Sequence, residues 1–145
     1  MTRIGISAGV VLLALLLAAS AVAGSRGFTG MVDPAGAVSF TARTHAHRVV
    51  QVRQFVFTGV PAACDEGTAY ADISNNPLPA MAVNVLHRFR GAFRIADSGE
   101  RVRVRVHGRF RHHGKRARGR LRLTGRFGQY HHCDTGRARW RAHLG

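Results

Sequence analysis

The chain has 145 residues, of which 22 are Lys or Arg and 7 are Asp or Glu, so its net charge is +15. This length suits one domain with a single core and excludes an array of several domains. The small number of acids, with no G-x-S-x-G motif and no phosphate-cradling glycine loop, favours a protein that is not an enzyme.

Residues 1–23 are predicted to be a secretion signal, and residues 24–145 to be one exported domain. Arg3 precedes an apolar run over residues 4–19, and Ala21-Val22-Ala23 fits a small-x-small cleavage site. The alternative is an uncleaved membrane anchor, although a spanning helix usually needs about 20 apolar residues. No later stretch could cross a bilayer, so we expect a secreted or envelope-associated protein.

The first half of the exported part is typical of short strands separated by Gly, Pro and Asx turns. Strands are predicted over residues 26–32, 37–43, 47–58 and 69–73, with loops over 59–67 and 74–79. In the third strand, Val50 and Val52 are expected to point inward together. Phe55 has the opposite parity, which predicts a β-bulge near Arg53-Gln54. Met81, Val83 and Val85 alternate in the next predicted strand, and Gly91 is expected to be a bend or bulge beyond it.

Residues 101–127 are predicted to form one long β-hairpin, because valines and leucines alternate with arginines along both halves. One register places every inward residue opposite another inward residue, and it pairs Val104 with Leu123, Val106 with Leu121, Gly108 with Gly119 and Phe110 with Ala117. The same register pairs arginines on the outer face and leaves His113-Gly114 as a two-residue turn. A one-residue slip would bury arginines, so the register should be firmly set.

A loop over residues 128–135 and a last strand from Arg137 complete a set of eight or nine strands. No amphipathic helix follows the signal, so the sequence predicts an all-β fold, an antiparallel sandwich of jelly-roll-like or related topology. An immunoglobulin domain fits poorly, because Trp140 follows Cys133 instead of preceding it. Since Cys64 and Cys133 both lie in the exported part, they are predicted to form a disulfide that closes a loop of about 70 residues.

The cysteines also carry a resemblance. C-x-x-G occurs at Cys64 to Gly67, and C-D-T-G-x-x-x-W-x-A occurs at Cys133 to Ala142, with the basic strand pair between them. This arrangement resembles a pattern in secreted all-β proteins of high-GC Gram-positive bacteria. The resemblance implies export and a disulfide-stapled β fold. It implies no activity and no functional residues.

The outward arginines are the candidate contact surface. They are Arg103, Arg105, Arg109, Arg118, Arg120 and Arg122, extended by Arg137, Arg139 and Arg141. Arginine suits phosphate and carboxylate through its fork of donors. We therefore expect anionic envelope polymers or polysaccharides as partners, with nucleic acid or acidic lipid as further possibilities. The alternative is a merely solvated face, because 21 of the 22 basic residues are Arg, a bias that suggests a GC-rich genome in which arginine codons are favoured.

Two other functions remain open from the sequence. One is a secreted hydrolase that uses Asp65, Glu66 and Asp134 near the disulfide. The other is a cationic membrane-active protein, to which Trp140 would contribute. The spacing His45-x-His47 would put two imidazoles on one strand face, but no matching second pair accompanies it. No metal, cofactor or catalytic residue is therefore expected, and the oligomeric state is not indicated.

Overall fold

The computed structural model describes residues 22–97 and 99–145, which form strands and turns and no helix. The strands are β1 (Ala23–Asp33), β2 (Ala37–His45), β3 (Arg48–Thr58), β4 (Val60–Cys64), β5 (Gly67–Ala71), β6 (Met81–Ala82), β7 (Arg88–Asp97), β8 (Glu100–Arg111), β9 (Arg116–Phe127), β10 (Tyr130–Asp134) and β11 (Ala138–Leu144). The predicted all-β class is confirmed, with eleven strands instead of eight or nine. The described residues contain no helix that could span a membrane. The predicted signal lies outside them apart from Val22 and Ala23.

Hydrogen bonds join these strands into one antiparallel sheet. Its order is β5-β4-β10-β9-β11-β1-β2-β3-β6, with β8 paired to β9 and β7 paired to β8. Strand β9 is central because β8 pairs along its length, while β11 and β10 pair with its first and second halves. The sheet order therefore places the basic strands β7, β8, β9 and β11 side by side.

The predicted hairpin is confirmed with its register. The β8–β9 ladder pairs Val104 with Leu123, Val106 with Leu121, Gly108 with Gly119 and Phe110 with Ala117, and it runs from Arg101–Arg126 to Arg111–Arg116. The inward valines and leucines are buried and the arginines of the other parity are exposed. The apolar pattern therefore set the register, as expected of a strand pair with one buried face.

The turn of this hairpin is longer than predicted. His113 and Gly114 have the expected positive φ angles of 55° and 78°, but His112 also has a positive φ of 51°. The Gly114 N–H donates to the Arg111 carbonyl, and the Lys115 N–H donates to the His112 carbonyl, each at 3.1 Å. The ladder therefore stops at Arg111, and the loop has four residues instead of two.

The inward side chains of distant strands meet in one aromatic core. The ring centroids of Phe40 on β2 and Phe89 on β7 lie 6.3 Å apart, and those of Phe40 and Trp140 on β11 lie 5.8 Å apart. Four strands separate β2 from β7 in the sheet order. Because these distances are those of contacting rings, the sheet curls around its core. The opposed faces expected of a sandwich are thus provided by one continuous sheet.

Two glycines of the hairpin make room for this core. A Cβ on Gly108 would lie 2.2 Å from Cζ of Phe89 and 2.7 Å from Cζ2 of Trp140. A Cβ on Gly119 would lie 1.8 Å from the His107 carbonyl oxygen. Such distances are far below van der Waals contact. The Gly108–Gly119 pair is therefore a packing requirement of the curled sheet.

Two segments predicted as loops are strands. β4 and β10 replace the loops expected over residues 59–67 and 128–135, and they pair through Ala63 and Asp134. The sequence shows no strand pattern in these two segments for a simple reason. The buried positions of β4 include Ala62, and the buried position of β10 is Cys133, so small side chains replace the usual long apolar ones.

The bulge predicted in β3 is confirmed. Gln54 has a φ of 51°, and the β2–β3 register shifts beside it. A second shift, opposite Arg43 and Thr44, was not predicted. It turns Val49 into the core and leaves Val50 only half-buried, so the inward position expected for Val50 is wrong.

The predictions beyond β3 need two further corrections. Gly91 is neither a bend nor a bulge, because the β7–β8 register continues through it. A Cβ there would lie 2.3 Å from the ring of Phe93, so its role is to admit that ring. Strand β6 contains only Met81 and Ala82, and Val85 lies in the following turn with 74% of its surface exposed.

Candidate anion-binding surface

Eight basic side chains occupy adjoining outward positions on β7, β8, β9 and β11. We call them the arginine patch, which consists of Arg88, Arg90, His107, Arg109, Arg118, Arg120, Arg139 and Arg141. All eight residues are exposed. They share one face because their strands are neighbours and their positions have the parity opposite to the core residues.

The ladder registers arrange the patch in two parallel rows. The first row runs through Arg88, Arg109, Arg118 and Arg141, and the second runs through Arg90, His107, Arg120 and Arg139. Neighbouring strands in a sheet lie about 4.8 Å apart, and alternate residues of a strand lie roughly 6.7 Å apart. The backbone therefore spaces the Cα atoms of these residues regularly, which suits a ligand with repeated charges.

The two rows line an open depression of about 1150 Å³. Between the rows, the depression is also lined by Gly108 and Gly119 and by the buried core residues Phe89 and Trp140. Among the residues that line it, Asp33 is the acid, and it stands opposite Arg139 in the β1–β11 ladder. Eight of the fifteen residues that line the depression are therefore basic, and one is acidic.

The basic side chains of the patch form no ion pairs with carboxylates within the described part of the chain. Its ion pairs join Arg122 to Asp134, His131 to Glu66 and His132 to Asp65, and none of them involves the arginine patch. The crowding has an electrostatic effect at the edge of the first row. Arg118, then partial desolvation, then Arg109 lower the pKa of Arg111. An anionic ligand would relieve this mutual repulsion.

The patch brings together five of the nine arginines proposed from the sequence. These five are Arg109, Arg118, Arg120, Arg139 and Arg141. Arg103, Arg105 and Arg122 instead line a smaller hollow of about 230 Å³ with Thr124. Arg137 lies in the link between β10 and β11 and lines neither depression. The predicted surface is thus divided along the length of the hairpin.

Arg122 differs from the patch arginines because a carboxylate binds it. Its Nε and Nη2 donate to Asp134 Oδ1 and Oδ2 at 3.0 and 2.6 Å. This contact raises the pKa of Arg122 and, with the Gly136 N–H, holds the pKa of Asp134 below its ordinary value. Arg122 is therefore not free to bind an external anion without losing this partner.

Three members of the patch were not proposed from the sequence. His107 has the same parity as Arg105 and Arg109, so the hairpin pattern already placed it on the outer face. Arg88 and Arg90 flank the buried Phe89, which also indicated an outward position. The pairing of β7 with β8, which joins Arg88 and Arg90 to the patch, was not predicted.

The predicted disulfide is present, and a set of ion pairs surrounds it. The Cys64–Cys133 bond joins β4 to β10. Next to it, Nδ1 of His132 lies 2.6 Å from Oδ2 of Asp65. Nδ1 of His131 lies 2.5 Å from Oε1 of Glu66, whose Oε2 accepts from the His131 backbone N–H at 2.8 Å. We call β4, β5 and β10, with these two pairs, the disulfide edge.

The two pairs raise the pKa of His132 and lower the pKa of Glu66. The Asp65 carboxylate, through its hydrogen bond and its charge, raises the pKa of His132. Hydrogen bonds from the backbone and then the side chain of His131 lower the pKa of Glu66. Both pairs are exposed, so they adjust local charge without creating a buried reactive group.

The acids proposed for a hydrolase therefore have separate partners. Asp65 and Glu66 each contact a histidine, and Asp134 contacts Arg122. The described residues contain no group of three or more His, Cys, Asp or Glu that could hold a metal ion. Trp140 is 2% exposed and packs in the core. Its expected contact with a membrane is therefore wrong.

Comparison of the chain with protein-family models, with curated proteins and with solved structures finds no match. The candidate surface is thus defined by the geometry of this chain alone: two rows of basic side chains on four adjacent strands.

Proposed function

We propose that the protein is an exported, non-catalytic binding module whose arginine patch binds anionic polymers of the cell envelope or its surroundings. One observation carries this proposal: eight adjoining basic side chains line a single open depression without forming ion pairs in the described part of the protein. Export is supported by the predicted signal and by the Cys64–Cys133 disulfide, since disulfides persist in oxidising compartments.

The chemistry of the patch favours phosphate, sulfate or carboxylate groups. A guanidinium group presents parallel donors that match two oxygens of such an anion. The patch repeats these donors across four strands, so a polymer with repeated charges can contact several arginines at once. Each contact releases a condensed counterion, and the affinity should therefore fall steeply with salt.

Two charge-matched variants test this proposal. In the patch variant, Arg109→Gln, Arg118→Gln and Arg141→Gln remove three cations of one row. In the control variant, Arg43→Gln, Arg48→Gln and Arg53→Gln remove three exposed arginines of β2 and β3 that do not line the depression. Both variants lose the same net charge, so any difference between them reports position.

We expect the patch variant to elute from heparin at clearly lower salt than the control variant. With a single-stranded oligonucleotide as the phosphate polymer, the log–log salt slope should decrease by about 2, since each neutralised phosphate contributes roughly 0.7. Equal losses in the two variants would mean that only net charge matters. Wild-type retention no stronger than that of a neutral protein would contradict polyanion binding altogether.

A further inference from the structure

Exposed apolar side chains border the arginine patch on two sides. The large hydrophobic residues exposed in the described part are Val22, Met31, Tyr70, Val85 and Leu86. Val85 and Leu86 directly precede β7, in which the patch begins, and they are 74% and 57% exposed. Met31 is 60% exposed and stands opposite Arg141 in the β1–β11 ladder. Exposed apolar residues thus lie next to the patch, in sequence before Arg88 and in register opposite Arg141.

The Val85–Leu86 tip is held in a fixed turn. Oδ1 of Asn84 accepts hydrogen bonds from the backbone N–H groups of Leu86 and Arg88, each at 3.0 Å. The Asn84 N–H donates to the Arg88 carbonyl, and the His87 N–H donates to the Asn84 carbonyl. Since Asn84 and Arg88 also line the depression, this turn fixes the apolar tip beside the first row.

Met31 extends the same row at its other end. It lines a second hollow of about 440 Å³ with Arg111, Arg116, Arg118 and Arg141. Arg118 and Arg141 also line the main depression, so the two hollows adjoin. Four strand spacings of about 4.8 Å separate Arg88 from Met31 along the ladder, which is roughly 19 Å. The cations therefore lie between two apolar flanks.

We propose that the arginine patch, with Val85, Leu86 and Met31, is a docking surface for an anionic lipid bilayer. The proposal rests on the anion binding proposed above and names a partner for it. A soluble polyanion offers charge but no apolar phase to cover the flanks. A bilayer offers both, because anionic headgroups lie above hydrocarbon that interfacial side chains reach at about 5–10 Å depth.

The test is co-sedimentation of the full exported chain with two kinds of vesicle. One contains phosphatidylcholine mixed with phosphatidylglycerol, and the other contains phosphatidylcholine alone. Val85→Ser with Leu86→Ser removes the apolar tip and keeps every arginine. Tyr70→Ser is the matched control, because Tyr70 is 68% exposed on β5, in the disulfide edge. Circular dichroism verifies that each variant is folded.

We expect the wild-type protein to bind the mixed vesicles and not the phosphatidylcholine vesicles. The Val85/Leu86 double variant should lose about tenfold or more in vesicle partitioning, as expected from removing two inserted apolar side chains. Its elution from heparin should stay unchanged, and Tyr70→Ser should change neither property.

The outcomes separate this proposal from the one on which it rests. If the double variant partitions like the wild type, the tip does not insert and bilayer docking is overturned, while polyanion binding stands. Wild-type binding to heparin without binding to mixed vesicles also overturns bilayer docking. Equal binding to both kinds of vesicle overturns it too, because anionic headgroups would then not be required. If the patch variant keeps wild-type retention on heparin, the proposed function itself fails.

Discussion

The arginine patch and the disulfide edge differ in whether their charged side chains are paired. At the disulfide edge, Asp65 and Glu66 each contact a histidine, and the nearby Asp134 contacts Arg122. In the patch, no cation has such a partner among the described residues. Three of the seven acids of the chain are thus used at or beside the disulfide edge. The distribution of acids, more than the number of arginines, therefore makes one surface strongly cationic.

The two regions also differ in what stabilises them. The patch strands have a continuous apolar underside, where Val104, Val106, Leu121 and Leu123 are at most 1% exposed. Burial of such side chains outweighs the mild cost of facing like charges. The disulfide edge has smaller buried side chains, such as Ala62 and Ala69, and contains the Cys64–Cys133 bond. Each region can therefore be broken by a different substitution.

The largest expected effect comes from breaking the disulfide edge. Cys64→Ala with Cys133→Ala opens a loop with a sequence separation of 69 residues. The chain-entropy model gives a loss of about 4 kcal/mol in the free energy of unfolding. Urea unfolding of the double variant measures it. A loss below about 1 kcal/mol would show that the disulfide edge is stable without the bond.

The second-largest effect is expected from disrupting the core packing beneath the patch. Gly119→Ala places a methyl group against the His107 carbonyl and the Trp140 ring, so we expect a loss of roughly 1–3 kcal/mol in unfolding free energy. The control is Gly27→Ala on β1, where an added Cβ meets nothing within 4 Å. Equal stability of the two variants, measured by urea unfolding, would contradict the packing role of Gly119.

A smaller effect sharpens the charge comparison. Asp134→Asn releases Arg122, which faces Arg105 in the β8–β9 ladder, and so enlarges the free cationic surface. The elution salt from heparin should rise modestly. The control is Asp72→Asn, which removes the same charge outside the patch, from an acid whose Oδ1 accepts a hydrogen bond from the Ser74 backbone N–H. If Asp72→Asn raises the elution salt equally, net charge alone explains the change.

The smallest effect concerns pH at the disulfide edge. The raised pKa of His132 means that its pairing with Asp65 stabilises the fold below the ordinary histidine pKa of about 6.5. This contribution is lost as pH rises through the value in the folded protein. NMR titration of His132 should show a midpoint above 6.5 that falls in Asp65→Asn. An unchanged midpoint in that variant would refute the pairing.

The sequence predicted the hairpin register well because a strict period-two pattern leaves one solution that buries no arginine. It predicted the bulge beside Gln54 for the same reason, since the parity of Val52 and Phe55 conflicts in an unbroken strand. It failed for β4 and β10, where small buried residues such as Ala62 produce no alternation of long apolar side chains. It also gave no warning of the second β2–β3 register shift, which exchanges Val49 for Val50 in the core.

The candidate surface was predictable only strand by strand. Parity assigns Arg118 or Arg139 to an outer face, but the sheet order decides which outer faces adjoin. The pairing of β11 with β9 joins strands that are not consecutive in the chain, whereas β7 and β8 are consecutive strands. Arg88 stands opposite Arg109 in this consecutive pair, but no local pattern places Arg141 opposite Arg118.

Histidine occupies most of the left-handed backbone positions that are not glycine in the described residues. Seven described residues other than glycine have positive φ, and five of them are His47, His87, His112, His113 and His132. Histidine tolerates the left-handed region better than most residues. Four of these five lie in turns or bends between strands, and His132 lies at the register shift of β10. Replacing such a turn residue by glycine or asparagine should therefore preserve the turn, whereas a β-branched residue should strain it.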